Sequence, residues 1–161
     1  MKRLFCILLI AALLCACAGT APTETPEQES QKAYGADFAA RVAEAWDAAG
    51  YLKDMARYSD EDLLDYYGID LSVCKGGVGY SDAVGYTTEA IVVVAEEATA
   101  IEIEALLSEH LAAQRESFRD YDPEALKIAE NAVLERDGGM VVLIVSPDAQ
   151  AMLDTLRGVT P

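Results

Sequence analysis

Four acidic side chains lie close together in the chain, where paired carboxylates could act as general acid and base or bind a calcium ion. They are Asp60, Glu61, Asp62 and Asp65. Calcium loops space their acidic ligands around a central glycine, and that spacing is missing here. Ser59 and Asp62 instead have the spacing of a helix-capping box, and negative charge is favourable at a helix start. The pattern therefore favours a capped helix over a catalytic or cation site.

The single histidine, His110, is the next candidate for acid–base chemistry. Helical spacing places it beside Leu106 and Leu107 at the edge of an apolar stripe, and general-base catalysis also requires a partner in reach of the reacting proton. The chain has no G-x-S-x-G motif and no glycine-rich loop that opens a helix, and beyond its first 17 residues one histidine and one cysteine are too few for a zinc site. We predict no catalytic residue, no metal site and no cofactor.

Tyrosines are a further candidate feature, because amphipathic rings suit a groove for a sugar or a peptide. The five tyrosines considered are Tyr66, Tyr67, Tyr80, Tyr86 and Tyr121. Ordinary packing in the core and at its rim explains them more simply, since each ring buries a large area. The sequence favours packing and leaves the groove as an alternative.

Cys17 is the residue with the most specific chemistry in this sequence. Lys2 and Arg3 precede an uncharged apolar run at residues 4–14, and a small-residue box, Leu14-Cys15-Ala16-Cys17, follows it. This order is typical of a lipoprotein signal, and the run is too short to span a membrane. We expect residues 1–16 to be a signal peptide and Cys17 to carry the lipid. A secretory peptide cut nearby, with Cys17 an incidental thiol, is the alternative.

Cleavage there would remove Lys2 and Arg3, so the net charge would change from −16 to −18. A field of this sign repels phosphate backbones, and nucleic acid is therefore excluded as a partner. Lipidation of Cys17 would leave Cys74 without a disulfide partner, and we interpret Cys74 as a small buried side chain or a free thiol without a function.

A linker and one domain follow the predicted anchor. Residues 18–32 contain prolines, threonines and glutamates but no aliphatic side chain larger than alanine, so they cannot bury enough surface to fold. We assign residues 17–33 to the lipidated cysteine and a flexible linker, and residues 34–161 to a single globular domain.

The hydrophobic spacing predicts two helices and two strands, then again two helices and two strands, and a final helix. Helical spacing covers residues 37–49, 59–68 and 101–118, and helices are expected to begin at Asp122-Pro123 and at Ser146-Pro147-Asp148. Strands are expected at residues 73–81, 90–95, 131–136 and 140–145, with turns within residues 82–86 and at Asp137-Gly138-Gly139. The order indicates an α+β domain whose mainly antiparallel sheet, of about four strands in two hairpins, is covered by helices.

Several soft motifs occur in an order that resembles a known family. They are Tyr67-Gly68-Ile69-Asp70, the strand at residues 89–96, the helix with Gln114 and Phe118 that leads to Tyr121-Asp122-Pro123, and the Gly-Gly hairpin into residues 141–145. Together with the signal segment, they resemble the bacterial lipoproteins grouped as domain-of-unknown-function family 4358, over residues 38–156. The resemblance implies a small secreted or tethered α+β domain with no assigned activity and no catalytic residue to transfer.

Two hypotheses about function follow. The preferred one is a non-catalytic lipoprotein domain, anchored by its lipid to the extracytoplasmic face of the cell membrane, that binds an envelope protein or a small ligand. The alternative is a carboxylate-based hydrolase or a cation-binding protein that uses acidic residues near Asp60 or on the face of the sheet. The alternative predicts two convergent carboxylates in a concave site.

Overall fold

The computed structural model describes residues 33–82 and 87–161. The predicted signal peptide, Cys17, nearly all of the linker and Tyr86 lie outside these residues. The helices of the described part are α1 (Phe38–Ala48), α2 (Asp60–Tyr67), α3 (Glu97–Phe118), α4 (Pro123–Glu130) and α5 (Ala149–Arg157). The strands are β1 (Met55–Arg57), β2 (Gly76–Asp82), β3 (Glu89–Val94), β4 (Val133–Asp137) and β5 (Met140–Val145), and a short 3-10 helix covers Leu71–Val73.

The five strands form one sheet in the order β1-β2-β3-β5-β4, and all neighbours are antiparallel. The α+β class and the two hairpins, β2–β3 and β4–β5, agree with the sequence analysis, but the expected number of about four strands is wrong. The missing strand is β1, in which Met55 pairs with Asp82 and Arg57 with Tyr80. Three residues are too few to show an alternating pattern, so β1 is defined by its pairing with β2.

Helices cover both faces of the sheet. Along β3, Ala90, Val92 and Val94 belong to the core under α1 and α5, whereas Ile91 and Val93 belong to the core under α2, α3 and α4. Both central strands, β3 and β5, are buried over their whole length. A central strand must therefore be apolar on both faces, as the run at residues 90–95 predicts.

Local sequence signals determine several helix ends and one turn. The Ser59 hydroxyl accepts a hydrogen bond from the Asp62 amide while the Asp62 carboxylate accepts one from the Ser59 amide, so the predicted capping box is confirmed. The Asp122 carboxylate caps α4 by accepting hydrogen bonds from the Glu124 and Ala125 amides. Gly138 lies at φ +56° in the turn between β4 and β5, a conformation that favours glycine. Within the described residues, no helix is both long and apolar enough to cross a bilayer.

Asp82 connects the two strands of the β2–β3 hairpin beside the undescribed residues 83–86. Its Oδ2 accepts hydrogen bonds from the amides of Thr87 and Thr88, at 3.0 Å each, and from both hydroxyls. Burial acts to raise the pKa of the Asp82 carboxyl, but these hydrogen bonds outweigh it and hold the pKa below its ordinary value. The ionised carboxylate therefore stabilises the hairpin.

Replacing Asp82 with asparagine is expected to lower the free energy of unfolding by about 1 kcal/mol at pH 7, because hydrogen bonds to a charged acceptor become hydrogen bonds to a neutral one. The folded-state pKa lies below the unfolded-state value of about 4, so the contribution is present above that pH and is lost as the pH falls through the folded-state pKa. Urea unfolding of both proteins from pH 7 to acid pH measures the difference, which should shrink on acidification. Asp54→Asn, an exposed change, is the control, and an equal effect of both changes would contradict the prediction.

Candidate functional site

The one acidic side chain that is fully buried among the described residues is Glu89, at 2% exposure. It begins β3 on the face that also carries Ile91 and Val93, so its carboxylate points toward α3. Its Oε2 lies 2.9 Å from Nε2 of His110, and its Oε1 accepts a hydrogen bond from Nε2 of Gln114 at 3.1 Å. A buried carboxylate is costly unless it is paired, and this pairing fixes α3 against the start of β3.

Two tyrosines extend this polar group to α2. The ring of Tyr67 packs on the imidazole of His110 with centroids 4.6 Å apart, and the Tyr67 hydroxyl donates to the Tyr58 hydroxyl at 3.0 Å. We call these five residues, Glu89, His110, Gln114, Tyr67 and Tyr58, the Glu89 cluster. Burial, and then the negative charge of Glu89, raises the pKa of Tyr67, so its phenol stays protonated. The cluster therefore joins α2, α3 and the sheet through neutral and ionic hydrogen-bonding groups.

The Glu89 cluster gives His110 the carboxylate partner that general-base catalysis requires. A carboxylate that accepts from Nε2–H leaves Nδ1 of a neutral imidazole as the acceptor, whereas in Ser-His-Asp hydrolases the carboxylate accepts from Nδ1–H and Nε2 is the base. A substrate would have to reach that nitrogen. Three clefts of about 210, 400 and 430 Å³ open on the described part of the surface, and none of the three is lined by Glu89 or His110. The described contacts of the Glu89 cluster join α2, α3 and β3.

Glu89 is not among the predicted site residues, because the pattern that predicts β3 is its apolar run. A charged residue at the beginning of such a run is typical of the boundary of a strand. The register places it inside, since Glu89 pairs with Ser81 on β2 and with Val145 on β5. A glutamate next to an apolar run that is long enough for a central strand, in a chain with one histidine, is the signal that was available.

The acidic residues near Asp60 lie on an exposed helix end. Hydrogen bonds with Ser59 lower the pKa of Asp62, which belongs to the capping box, while Asp60, Glu61 and Asp65 are exposed. Within residues 33–82 and 87–161, no three histidine, cysteine, aspartate or glutamate side chains are grouped as metal ligands would be. Near Asp60, the described residues therefore do not form the concave site that the carboxylate hypothesis predicts.

The predicted tyrosine groove does not form among the four tyrosines that are described. Tyr67 is buried in the Glu89 cluster, Tyr66 is exposed beside Tyr58, and Tyr80 packs on the opposite face of the sheet. Tyr121 follows α3 and is 90% exposed. The four rings lie in separate places, and the packing interpretation is confirmed for Tyr67 and Tyr80 but wrong for Tyr66 and Tyr121, which are mostly exposed.

Cys74 is partly buried, and its thiol donates to the backbone carbonyl of Asp70 at 3.3 Å. Burial, and secondly the charge of Asp70, raises the pKa of this thiol. A thiol whose pKa is raised is a weak nucleophile at neutral pH. Its surroundings therefore fit the interpretation of Cys74 as a residue without a reactive role.

Carboxylates also occur in the cleft of about 430 Å³, which lies between the start of α1, the end of α5 and β4. Glu135 accepts from Arg157 at 2.9 Å, and Asp137 accepts from the Tyr34 hydroxyl at 2.6 Å. Burial, and then Asp137, raises the pKa of Tyr34. Each carboxylate thus has a protein partner that holds it against a neighbouring element.

A family model matches residues 48–146, from the last residue of α1 to just beyond β5, and its description is Domain of unknown function (DUF4358). The match contains the whole sheet and the Glu89 cluster but excludes α5 and nearly all of α1, so it is shorter than the resemblance over residues 38–156. No curated protein and no solved structure matches the chain. Because the match covers more than half of its residues, the chain belongs to the DUF4358 family.

Proposed function

We propose that this protein is a lipid-anchored domain on the extracytoplasmic face of the cell membrane, and that it acts by binding a partner rather than by catalysis. The observation that carries the proposal is the sequence of residues 2–17, in which a basic end, an apolar run and a small-residue box lead to Cys17. Two or three acyl chains at that cysteine would hold the protein on the bilayer, since each buried methylene contributes about 0.8 kcal/mol.

The position at which the tether joins the domain supports this arrangement. Ala33 and Tyr34 line the cleft of about 210 Å³ together with Val94 and Ala95, at the end of β3. Glu89 begins the same strand, so five residue steps, about 17 Å, separate the tether end from the Glu89 cluster. A flexible linker of about 15 residues reaches on the order of 20 Å, which leaves the far end and the flanks of the domain open to a partner.

Several polar side chains already have structural hydrogen-bond partners, which supports a binding role over a catalytic one. Glu89 is paired with His110, Asp82 closes a hairpin, and Asp62 and Asp122 cap helices. In each case the side chain has an architectural role that accounts for its position. An acidic domain of this kind is well suited to meet a basic surface in the envelope.

Replacing Cys17 with alanine in the full-length chain is expected to release the protein from the membrane fraction, because alanine has no thiol to accept the acyl group. The wild-type protein should fractionate with membranes and incorporate a labelled fatty acid, and the variant should do neither. Cys15→Ala and Cys74→Ala are matched controls that should leave labelling and fractionation unchanged. A Cys17→Ala protein that stays acyl-labelled and membrane-bound would refute the proposed anchor.

A further inference from the structure

Apolar side chains are exposed on and beside α2. Leu64 and Tyr66 on this helix are 48% and 57% exposed, and Leu106 on the adjacent α3 is 37% exposed. We call Glu61, Leu64, Asp65, Tyr66 and Leu106 the α2 surface. Large apolar side chains that are exposed together, with polar residues around them, mark interaction sites on soluble domains.

Helix geometry places Leu64 next to Leu106 at one edge of the exposed side of α2, and Tyr66 at the opposite edge. The Gly68 amide donates to the Leu64 carbonyl, so the two residues lie one turn apart on the same side of α2, and the Leu106 methyl groups are 3.6–3.7 Å from the position that a Gly68 Cβ would take. Tyr66 lies on the other side of α2, with its ring 6.0 Å from that of Tyr58. Glu61 and Asp65 lie between these two apolar borders, on the side of α2 that faces away from buried Leu63 and Tyr67.

The charge around the α2 surface has one sign. Residues 59–74 and 97–114 contain nine aspartates and glutamates and no lysine or arginine. Glu102 and Glu109, which flank Leu106 at one helical turn, are exposed, as are Glu61 and Asp65. Among the described residues, none of these four carboxylates has a hydrogen bond or ion pair, whereas Glu104 on the far side of α3 binds Arg136 at 2.7 Å. The apolar side chains are therefore surrounded by unneutralised negative charge.

We propose that the α2 surface binds a basic amphipathic helical segment of a partner protein, whose apolar side chains cover Leu64 and Leu106 and whose lysines or arginines face Glu61 and Asp65. This inference deepens the proposed function and rests on it. Charge complementarity selects the occupant. The linker of this chain carries three glutamates and no large aliphatic side chain, and a second copy would bring the same negative charge to the same face.

The probe for the test is a labelled synthetic peptide of leucine and lysine with helical amphipathic spacing, and fluorescence anisotropy with the full-length protein in detergent measures its binding. Replacing Leu64 and Leu106 together with alanine is expected to weaken binding about tenfold, because two half-buried leucine contacts are lost. Glu61→Gln with Asp65→Asn should weaken binding by a similar factor at low salt and by less at high salt.

Matched controls separate the α2 surface from the general acidity of the chain. Glu44→Gln with Asp47→Asn removes the same two charges from exposed positions on α1, across the sheet, and Tyr121→Ala removes an exposed ring elsewhere. Both should leave peptide binding within about twofold of the wild-type value. A scrambled peptide of the same composition should bind at least about tenfold more weakly, since it presents no apolar stripe. The exposed acidic substitutions keep the test valid if the leucine variant folds poorly, which circular dichroism detects.

Three results would overturn this inference: no binding of the peptide to the wild-type protein, equal binding of the scrambled peptide, or an equal loss of binding in the α1 control. Self-association that is abolished by the leucine variant would assign the surface to a second copy instead. The peptide assay needs no membrane, so a negative result in it would not contradict the proposed lipid anchor at Cys17. A negative result in the Cys17 experiment, in turn, would not contradict binding of the peptide to the α2 surface.

Discussion

Replacing His110 with alanine is expected to lower the free energy of unfolding by about 3 kcal/mol, a large share of the 5–15 kcal/mol of a typical domain. The change removes the partner that lies 2.9 Å from the Glu89 carboxylate, and that carboxylate is almost completely buried. Gln114 still donates to Glu89 in the variant. We therefore expect a loss of stability near the lower end of the range for breaking a buried ion pair. Urea unfolding followed by circular dichroism measures it.

Two comparisons show whether the loss comes from the buried charge. Glu109→Ala, an exposed change on the same helix, should cost less than about 0.5 kcal/mol. Replacing Glu89 and His110 together with leucine removes the buried carboxylate along with its partner, and this double variant should be more stable than the His110→Ala protein because no unpaired carboxylate remains. If His110→Ala were as mild as Glu109→Ala, the Glu89 cluster would not hold α3 to the sheet.

Trp46→Ala is expected to have the other large effect, a loss of about 4 kcal/mol in the free energy of unfolding. Trp46 is fully buried in the core between α1, α5 and the sheet, and its indole Nε1 donates to the Met152 carbonyl at 2.8 Å. Truncation leaves a cavity and removes the hydrogen bond between the indole and the Met152 carbonyl. The two costs add because the surrounding strands limit how far the core can collapse.

Trp46→Phe separates these two contributions. It keeps most of the ring volume but loses the hydrogen bond to Met152, so its cost should lie clearly below that of alanine. Asp47→Ala, the exposed neighbour, should change stability by less than about 0.5 kcal/mol. Urea unfolding of the three variants provides the measurement, and a Trp46→Ala cost below about 1 kcal/mol would show that α1 contributes little to the core.

Features that depend on near neighbours in the chain were predictable. The Ser59 and Asp62 cap, the Asp122-Pro123 helix start and the Gly138 turn each involve groups within a few residues of one another, so their side-chain chemistry determines the local conformation. The apolar run at residues 90–95 likewise indicated that β3 has a central position in the sheet. Helix α3 begins at Glu97 rather than near residue 101, because apolar spacing shows its buried stripe and not its solvated first turn.

Features that depend on distant pairing were not predictable. Strand β1 exists through its bonds to β2, and the burial of Glu89 follows from strand register and from the approach of α3, twenty-one residues away at His110. The α2 surface also joins Leu64 and Leu106 across two helices. No short stretch of the sequence contains both partners of any of these contacts.

The sequence by itself determined the order of helices and strands, the local caps and turns, the acidic charge and the family resemblance, because each depends on residue type and short spacing. Only the tertiary structure decided which side chains meet. It gave the lone histidine a buried carboxylate partner and placed exposed leucines beside unneutralised acids, because the packing of helices on a sheet brings together residues that the chain keeps far apart.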